Sequence, residues 1–260
     1  MRWFLKLSYD GAPFHGWQSQ PNAVSVQQTL EEALATVFRR PVPVTGAGRT
    51  DTGVNARVMY AHFDTTEDIG DRRRMIISLN RLCGPAISIA DIIPVEEEAH
   101  ARFDATRRTY KYFVAFGKSP FLASMSWLSP SGLDVAAMNE AAKVLIDTDD
   151  FTSFAKLHSD TRTNICRVDL SEWSEWHNSF GIRGTVFTIS ADRFLRNMVR
   201  AVTGTLVDVG RGKISQEDFR RIIERKDRCA AGTSMPPQAL FLWDVEYPYL
   251  NRQTSDDGRN

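Results

Sequence analysis

The sequence predicts an α+β protein of two halves, each a split β-α-β unit of ferredoxin-like type with a mainly antiparallel sheet. Two observations carry this. Apolar residues alternate, or recur at helical spacing, in the order strand, helix, strand, strand, helix, strand over residues 3–93. The same order recurs over residues 108–245, with one extra helix. A chain of 260 residues is long enough for two such units. No sequence similarity links the halves, so the repeat is one of architecture. The expected boundaries are 1–104, 105–250 and a polar tail over 251–260. Such halves pack most simply with their sheets side by side, leaving a cleft along the junction.

In the first half, Trp3, Leu5 and Leu7 alternate in a strand that Asp10-Gly11-Ala12-Pro13 ends. Ser25-Val26-Gln27-Gln28 matches a capping box, and Val26, Leu30, Leu34, Val37 and Phe38 follow at helical spacing. Strands are expected over 42–47 and 58–63, with a Gly-rich loop between them. Asp71 is placed to cap a helix carrying Met75, Leu79 and Leu82, and 87–93 is a strand stopped by Pro94. In the second half, 108–116 is a strand rich in aromatic and β-branched residues. Asp134 caps a helix through Met138, Ala142 and Leu145, and 165–173 and 182–191 read as paired strands. The spacing then predicts a helix over 194–207, with Leu195, Met198, Val199, Val202 and Leu206 inward. Ser215 caps one more helix, and 240–245 is the last strand.

Composition bounds the function. Lys+Arg 32 against Asp+Glu 32 gives a formal net charge of zero, which argues against a nucleic-acid protein, because phosphate neutralisation needs cationic surface. Arginines nevertheless cluster, at Arg39-Arg40, 72–74, Arg107-Arg108, Arg193/Arg196/Arg200 and 220–228, while acids gather at 96–98 and 147–150. A neutral protein with one basic cleft is compatible with this. Cys83, Cys166 and Cys229 are far apart and form no Cys-x-x-Cys, so neither a disulfide framework nor a zinc site is indicated. His62, His100, His158 and His177 have no metal-ligand spacing and read as structural. The opening apolar run is too short for a secretory signal and no segment is long enough to span a membrane, so a cytoplasmic protein is expected.

Residues 46–55, Gly-Ala-Gly-Arg-Thr-Asp-Thr-Gly-Val-Asn, draw attention as a site. Three glycines exclude a helix or plain strand and let the backbone approach a ligand. Arg49 and Asp51 lie two residues apart between threonine hydroxyls. These residues equally describe a surface turn with a local ion pair. As a functional group, a carboxylate attacks a sugar carbon or an activated ring to give a covalent intermediate. Burial disfavours its charged form, and a guanidinium such as Arg200 restores it. Arg196 and Arg200, four apart, are expected to be neighbours on the helix, which is equally a solvated polar face. Tyr110 and Tyr112 share one face of a strand beside arginines, an arrangement that suits stacking on an unpaired base or a cross-strand core pair. In 14–18, Phe-His-Gly-Trp-Gln serves either as a staple over the core or as an RNA contact.

Several stretches, in order, resemble the tRNA pseudouridine synthase A family. They are Tyr9-Asp10-Gly11 with 14–18, Gly48-Arg49-Thr50-Asp51-Thr52-Gly53-Val54, and His100-Ala101-Arg102-Phe103-Asp104-Ala105 with Arg108-Thr109-Tyr110-Lys111-Tyr112. Phe194-Leu195 with Met198-Val199-Arg200 and Gly204-Thr205-Leu206 completes the set, so the resemblance runs from Tyr9 to about Trp243. It implies a pseudouridine synthase fold, with two ferredoxin/RRM-like halves flanking an RNA-binding cleft. It also implies isomerisation of uridine at positions 38, 39 and 40 of the tRNA anticodon arm, by a homodimer without cofactor or metal. By the same resemblance Asp51 is the nucleophile, Tyr110 packs on the target uracil, Arg200 pairs with Asp51, and Arg49 holds the flipped nucleotide out.

One departure is Asn55, where many relatives carry histidine; the chemistry does not rest on that position. Two other classes compete with a synthase. A non-catalytic RNA-binding protein has no need of the intact Arg49-Thr50-Asp51 set. A carboxylate-based glycoside hydrolase needs a second positioned acid, and none stands out beside Asp51.

Overall fold

The computed structural model describes residues 1–129, 132–156 and 162–250; the tail over 251–260 and His158 lie outside the described residues. The chain divides into two compact units, Met1–Arg107 with the segment from Leu242 onward, and Arg108–Phe241.

In the first unit the elements are β1 (Arg2–Tyr9), α1 (Val26–Phe38), β2 (Thr45–Gly46), β3 (Asn55–Asp64), α2 (Arg72–Leu82) and β4 (Ile87–Val95). β1 is central, antiparallel to β3 with Trp3 opposite Phe63 and to β4 with Trp3 opposite Pro94. Both faces of β1 are covered: Phe4, on the face opposite Leu5, is buried as completely, against the rings of Tyr60, His62, Tyr247 and Tyr249.

Three expectations are corrected in this unit. The strand over 42–47 shrinks to the two residues of β2. Pro41 and Pro43 have no N–H to give a ladder. The segment is tied instead to α1: Val44 N donates to Glu31 Oε1 at 3.0 Å, and Gln27 Nε2 donates to the Val44 carbonyl at 3.1 Å. Secondly, Pro94 does not stop β4, which continues to Val95. β4 ends the strand order and has a neighbour on one side only. There a missing N–H that would point outward costs no ladder bond. Thirdly, Leu82 is 46% exposed; α2 is secured to β4 by the Asn80 carboxamide, which donates to the Ile89 carbonyl at 3.0 Å and accepts from Ile89 N at 2.7 Å. Both expected caps form. Asp71 accepts from Arg74 N, and Ser25 accepts from Gln28 N at 3.2 Å, although the Gln28 amide turns to Glu32 and leaves the box half made.

The remaining elements are β5 (Arg107–Ala115), β6 (Trp127–Leu128), α3 (Val135–Lys143), β7 (Val168–His177), β8 (Arg183–Ala191), α4 (Met198–Gly210), α5 (Gln216–Arg225) and β9 (Leu240–Glu246). In the second unit β8 runs antiparallel between β5 and β7, and the two-residue β6 lies parallel to the end of β5. Asp134 caps α3 through Ala137 N, and a full capping box between Ser215 and Asp218 opens α5. The strand expected from Ile165 starts only at Val168; Ile165 makes a single bridge with Asp150.

The helix expected over 194–207 is also corrected. α4 starts at Met198, because Asn197 takes a left-handed φ of 65° that ends any helical run before it. Arg193 and Arg196 therefore precede α4 and share no helical face with Arg200. From Met198 on, α4 is buried on nearly every side, as expected of a helix threaded through a core. Among the described residues, no helix is long and apolar enough to cross a membrane.

Candidate active site

The Gly-rich loop spans 47–54, between β2 and β3, and its backbone is tied along its length. Ala47 N donates to the Tyr60 carbonyl at 2.8 Å, and Val54 N closes a turn onto the Asp51 carbonyl at 3.1 Å. Between these points the loop rests on the chain that follows β1. Trp17 N donates to the Thr50 carbonyl at 3.2 Å, Gly53 N donates to the Phe14 carbonyl at 3.4 Å, and the Tyr9 and Thr50 hydroxyls are 2.9 Å apart. Contact is too close for a side chain at residue 16: Gly16 has φ 90°, and a Cβ there would lie 2.5 Å from the Thr50 carbonyl oxygen.

The stretch over 9–17 is thus the seat of the loop. Phe14 and Trp17 are buried, so they staple the core, while His15 is exposed. Asn55 is buried as well, and its Oδ1 accepts the Gly11 N–H at 2.8 Å. That bond gives the departure at this position a structural role. Out of this seat the loop presents Asp51, half-buried, and Arg49, exposed. A carboxylate on a backbone fixed in this way needs little reorganisation to meet a substrate.

Beside the loop lies a hollow of about 120 Å³, lined by residues including Trp17, Gln18, Gly48, Arg49 and Arg102. Arg102 comes from the turn over 99–104. His62, buried on β3, accepts the Ala101 N–H on Nδ1 at 3.1 Å, and Tyr247 Oη donates to the Ala101 carbonyl. Burial, and then the Arg2 charge, hold the His62 imidazole down to about 4. His62 is therefore neutral at physiological pH, as an acceptor nitrogen requires. Arg2 in turn holds Asp64 through two bonds of 2.9 Å, which keep that carboxyl below the usual range.

Tyr110 and Arg200 belong to the second unit. On β5 the two tyrosines that share a face have different fates. Tyr112 is fully buried and donates to the Pro236 carbonyl at 3.1 Å, and burial pushes its phenol up. It is a core residue. Tyr110 is half-buried, with the Phe194 ring edge-on at 5.1 Å. Arg200, in the first turn of α4, donates from Nε to the Met235 carbonyl at 2.6 Å, while Met235 N donates to the Arg200 carbonyl at 3.1 Å. The same strand of chain passes so close to α4 that a Cβ at Gly204 would meet the Thr233 carbonyl oxygen.

Sequence reasoning missed several of these supports. Asn55 was visible only as a departure, and His62 only as a histidine without metal spacing. The segment over 233–236 carries no periodicity or motif that marks it as the clamp on Arg200. Phe194 was assigned to a helix rather than to the wall beside Tyr110. Among the described residues, no three His, Cys, Asp or Glu side chains gather as a metal site.

Residues 141–248 match a family model described as tRNA pseudouridine synthase. The chain is 55% identical to tRNA pseudouridine synthase A of Parabacteroides distasonis, covering 95% of this chain and 96% of the relative. It is 54% identical to that of Bacteroides thetaiotaomicron (95% and 91% covered) and 38% identical to that of Bacillus subtilis (95% and 99%). Among solved structures, Thermus thermophilus Cse3 bound to an RNA aligns at 12% identity and a TM-score of 0.23, over 80% of this chain and 96% of that one, a likeness too low to carry an argument. By its agreement with these relatives over nearly its whole length, the chain belongs to the tRNA pseudouridine synthase A family.

Proposed function

We propose that this enzyme isomerises uridine to pseudouridine at positions 38, 39 and 40 in the anticodon stem-loop of tRNA, with Asp51 as the nucleophile. The N1–C1′ glycosidic bond breaks, the uracil turns, a C5–C1′ bond forms, and the hydrogen on C5 leaves as N1 gains a proton. Tyr110 packs on the uracil, Arg200 pairs with the Asp51 carboxylate when RNA is bound, and Arg49 holds the vacated position in the stack. Extraction of the nucleotide costs a few kcal/mol, least near a loop. None of these steps calls for a cofactor or a metal. The protein works in the cytoplasm as a homodimer, with 1–104 and 105–250 as ferredoxin-like halves on either side of the RNA. The strand order β4-β1-β3-β2 in the first unit supports that description of the half.

The observation that carries the reading is the fixed seat of the Asp51 loop, built from residues 9–17 and Asn55 by four hydrogen bonds and the close approach of Gly16. The test is tritium release from tRNA labelled at uracil C5, with wild type against Asp51→Asn. Release by wild type alone, lost when the anticodon arm lacks its uridines, is the expected result. No release by folded protein on a tRNA that it binds would leave an RNA-binding module. Equal release by both proteins would remove Asp51 from its role.

A further inference from the structure

We infer that the turn over 99–104 is a preformed nucleotide platform, on which Phe103 stacks a base next to the target uridine while Arg102 and Arg49 hold its phosphate. The inference rests on the proposed tRNA substrate and adds a second contact to it.

Phe103 is 74% exposed, the most exposed of the large apolar side chains among the described residues. An aromatic ring so placed gains nothing for the core. Yet the turn that carries it is held as firmly as a core element. His100 Nδ1 accepts the N–H groups of Arg102 at 3.1 Å and Phe103 at 3.3 Å, and Asp104 Oδ2 accepts the His100 N–H at 2.7 Å. Asp104 is itself fixed by Tyr249 Oη at 2.9 Å, and Ala99 by a bond of 3.0 Å from Arg2 Nη1 to its carbonyl. With the bonds from the buried His62 and Tyr247 to Ala101, the turn is tied to the rest of its unit at Ala99, Ala101 and Asp104, while His100 holds Arg102 and Phe103 from within the turn. The rings follow in series: His100 lies 4.2 Å from Phe103 at a tilt of 33°, and His62 meets His100 edge-on at 4.7 Å and 69°. Phe103, 74% exposed, is the outer end of that series.

What faces the platform is cationic. The Arg102 guanidinium lies 5.7 Å from the Phe103 ring centre, and Arg102 and Arg49 line one hollow. About 120 Å³ holds roughly four waters. That suits a phosphate group and is too small for a nucleobase. Gly48 lines the same hollow, with φ in the ordinary range and nothing within 4 Å of where its Cβ would be. Neither turn geometry nor packing demands a glycine there, and its bare backbone leaves the entrance open. An aromatic face beside two guanidiniums and a phosphate-sized space is the recognition set for a single-stranded nucleotide. An acidic peptide would use the cations but leave the ring unoccupied.

Binding and turnover are read separately, on an anticodon stem-loop RNA, for Phe103→Ala, Phe103→Leu, Phe103→Tyr and Arg102→Ala. Phe103→Ala is expected to weaken binding about tenfold with an unchanged melting temperature, and Phe103→Tyr to restore it while Phe103→Leu does not. Arg102→Ala is expected to lower the slope of log affinity against log salt by about one. Wild-type affinity in Phe103→Ala, or full rescue by leucine, overturns the platform. Binding by wild type without tritium release would overturn the proposed reaction instead, and the binding comparison would still decide the platform. Absence of RNA binding by wild type would remove both.

Discussion

Asn55 Oδ1 takes the Gly11 N–H at 2.8 Å, a bond that joins the end of the Asp51 loop to the turn after β1 with both residues buried. Asn55→Ala leaves that N–H with no partner in a place water does not reach. A loss of about 1–3 kcal/mol is expected. Urea unfolding measures it, and a change under about 0.5 kcal/mol, typical of an ordinary surface site, would show that the bond does not hold the loop.

Replacement of glycine by alanine inside a helix usually stabilises a protein by about 1 kcal/mol. At Gly204 the sign should reverse, since the new Cβ meets the Thr233 carbonyl oxygen and that backbone also carries the partners of Arg200. Gly204→Ala is expected to lower the melting temperature and to reduce tritium release together. A rise in melting temperature would mean that the 233–235 segment gives way freely.

Arg200 and lysine carry the same charge, but only a guanidinium bonds Met235 through Nε and carries two further nitrogens in a fixed fork. Arg200→Lys is therefore expected to fold normally and to release tritium at least tenfold more slowly at saturating tRNA. Near wild-type turnover would show that charge alone suffices.

His62 makes stability depend on pH. Burial and the Arg2 charge lower its folded value to about 4, against an unfolded value of about 6.5. Above the unfolded value both states are neutral and the fold keeps its full stability. As pH falls from about 6.5 towards 4, only the unfolded chain gains the proton, and about 2 kcal/mol is lost by pH 4.5. His100, lowered mainly by burial, acts in the same sense. Asp64 has the Arg2 guanidinium beside it, so its contribution is lost only at lower pH, as its own depressed value is crossed. His62→Asn keeps an acceptor for Ala101 N and cannot titrate. Its melting temperature should fall less between pH 6.5 and 4.5 than that of wild type, and an identical fall would remove His62 as the source.

The two-round order of elements was legible because alternation, helical spacing and Ser or Asp caps are local signals. All four expected caps engage the backbone where the sequence places them. The failures had non-local causes. Nothing near 42–44 reports that Glu31 and Gln27 will replace a strand ladder, and Pro94 is a stop only until its strand is known to lie at an edge. Asn197 sits inside an uninterrupted apolar spacing, which hides the left-handed residue that delays α4. Asp51, Arg49, Tyr110 and Arg200 were visible as residue types, but the bonds that orient them come from positions remote in sequence. Met235 lies 35 residues from Arg200, and Asn55 lies 44 from Gly11.

The first unit is interrupted by the second, with Arg108–Phe241 inserted before the chain returns at Leu242. Tyr247, buried between Phe4 and Tyr60 with ring centres 5.3 Å from each, is among the residues that arrive late. On a ribosome that builds from the N-terminus, the Asp51 loop is synthesised early, but its unit lacks part of its core until the second unit has emerged. The unit that carries the Asp51 loop thus completes its core only after the unit that carries Tyr110 and Arg200 has been made, so a chain released before Leu242 lacks a finished first unit.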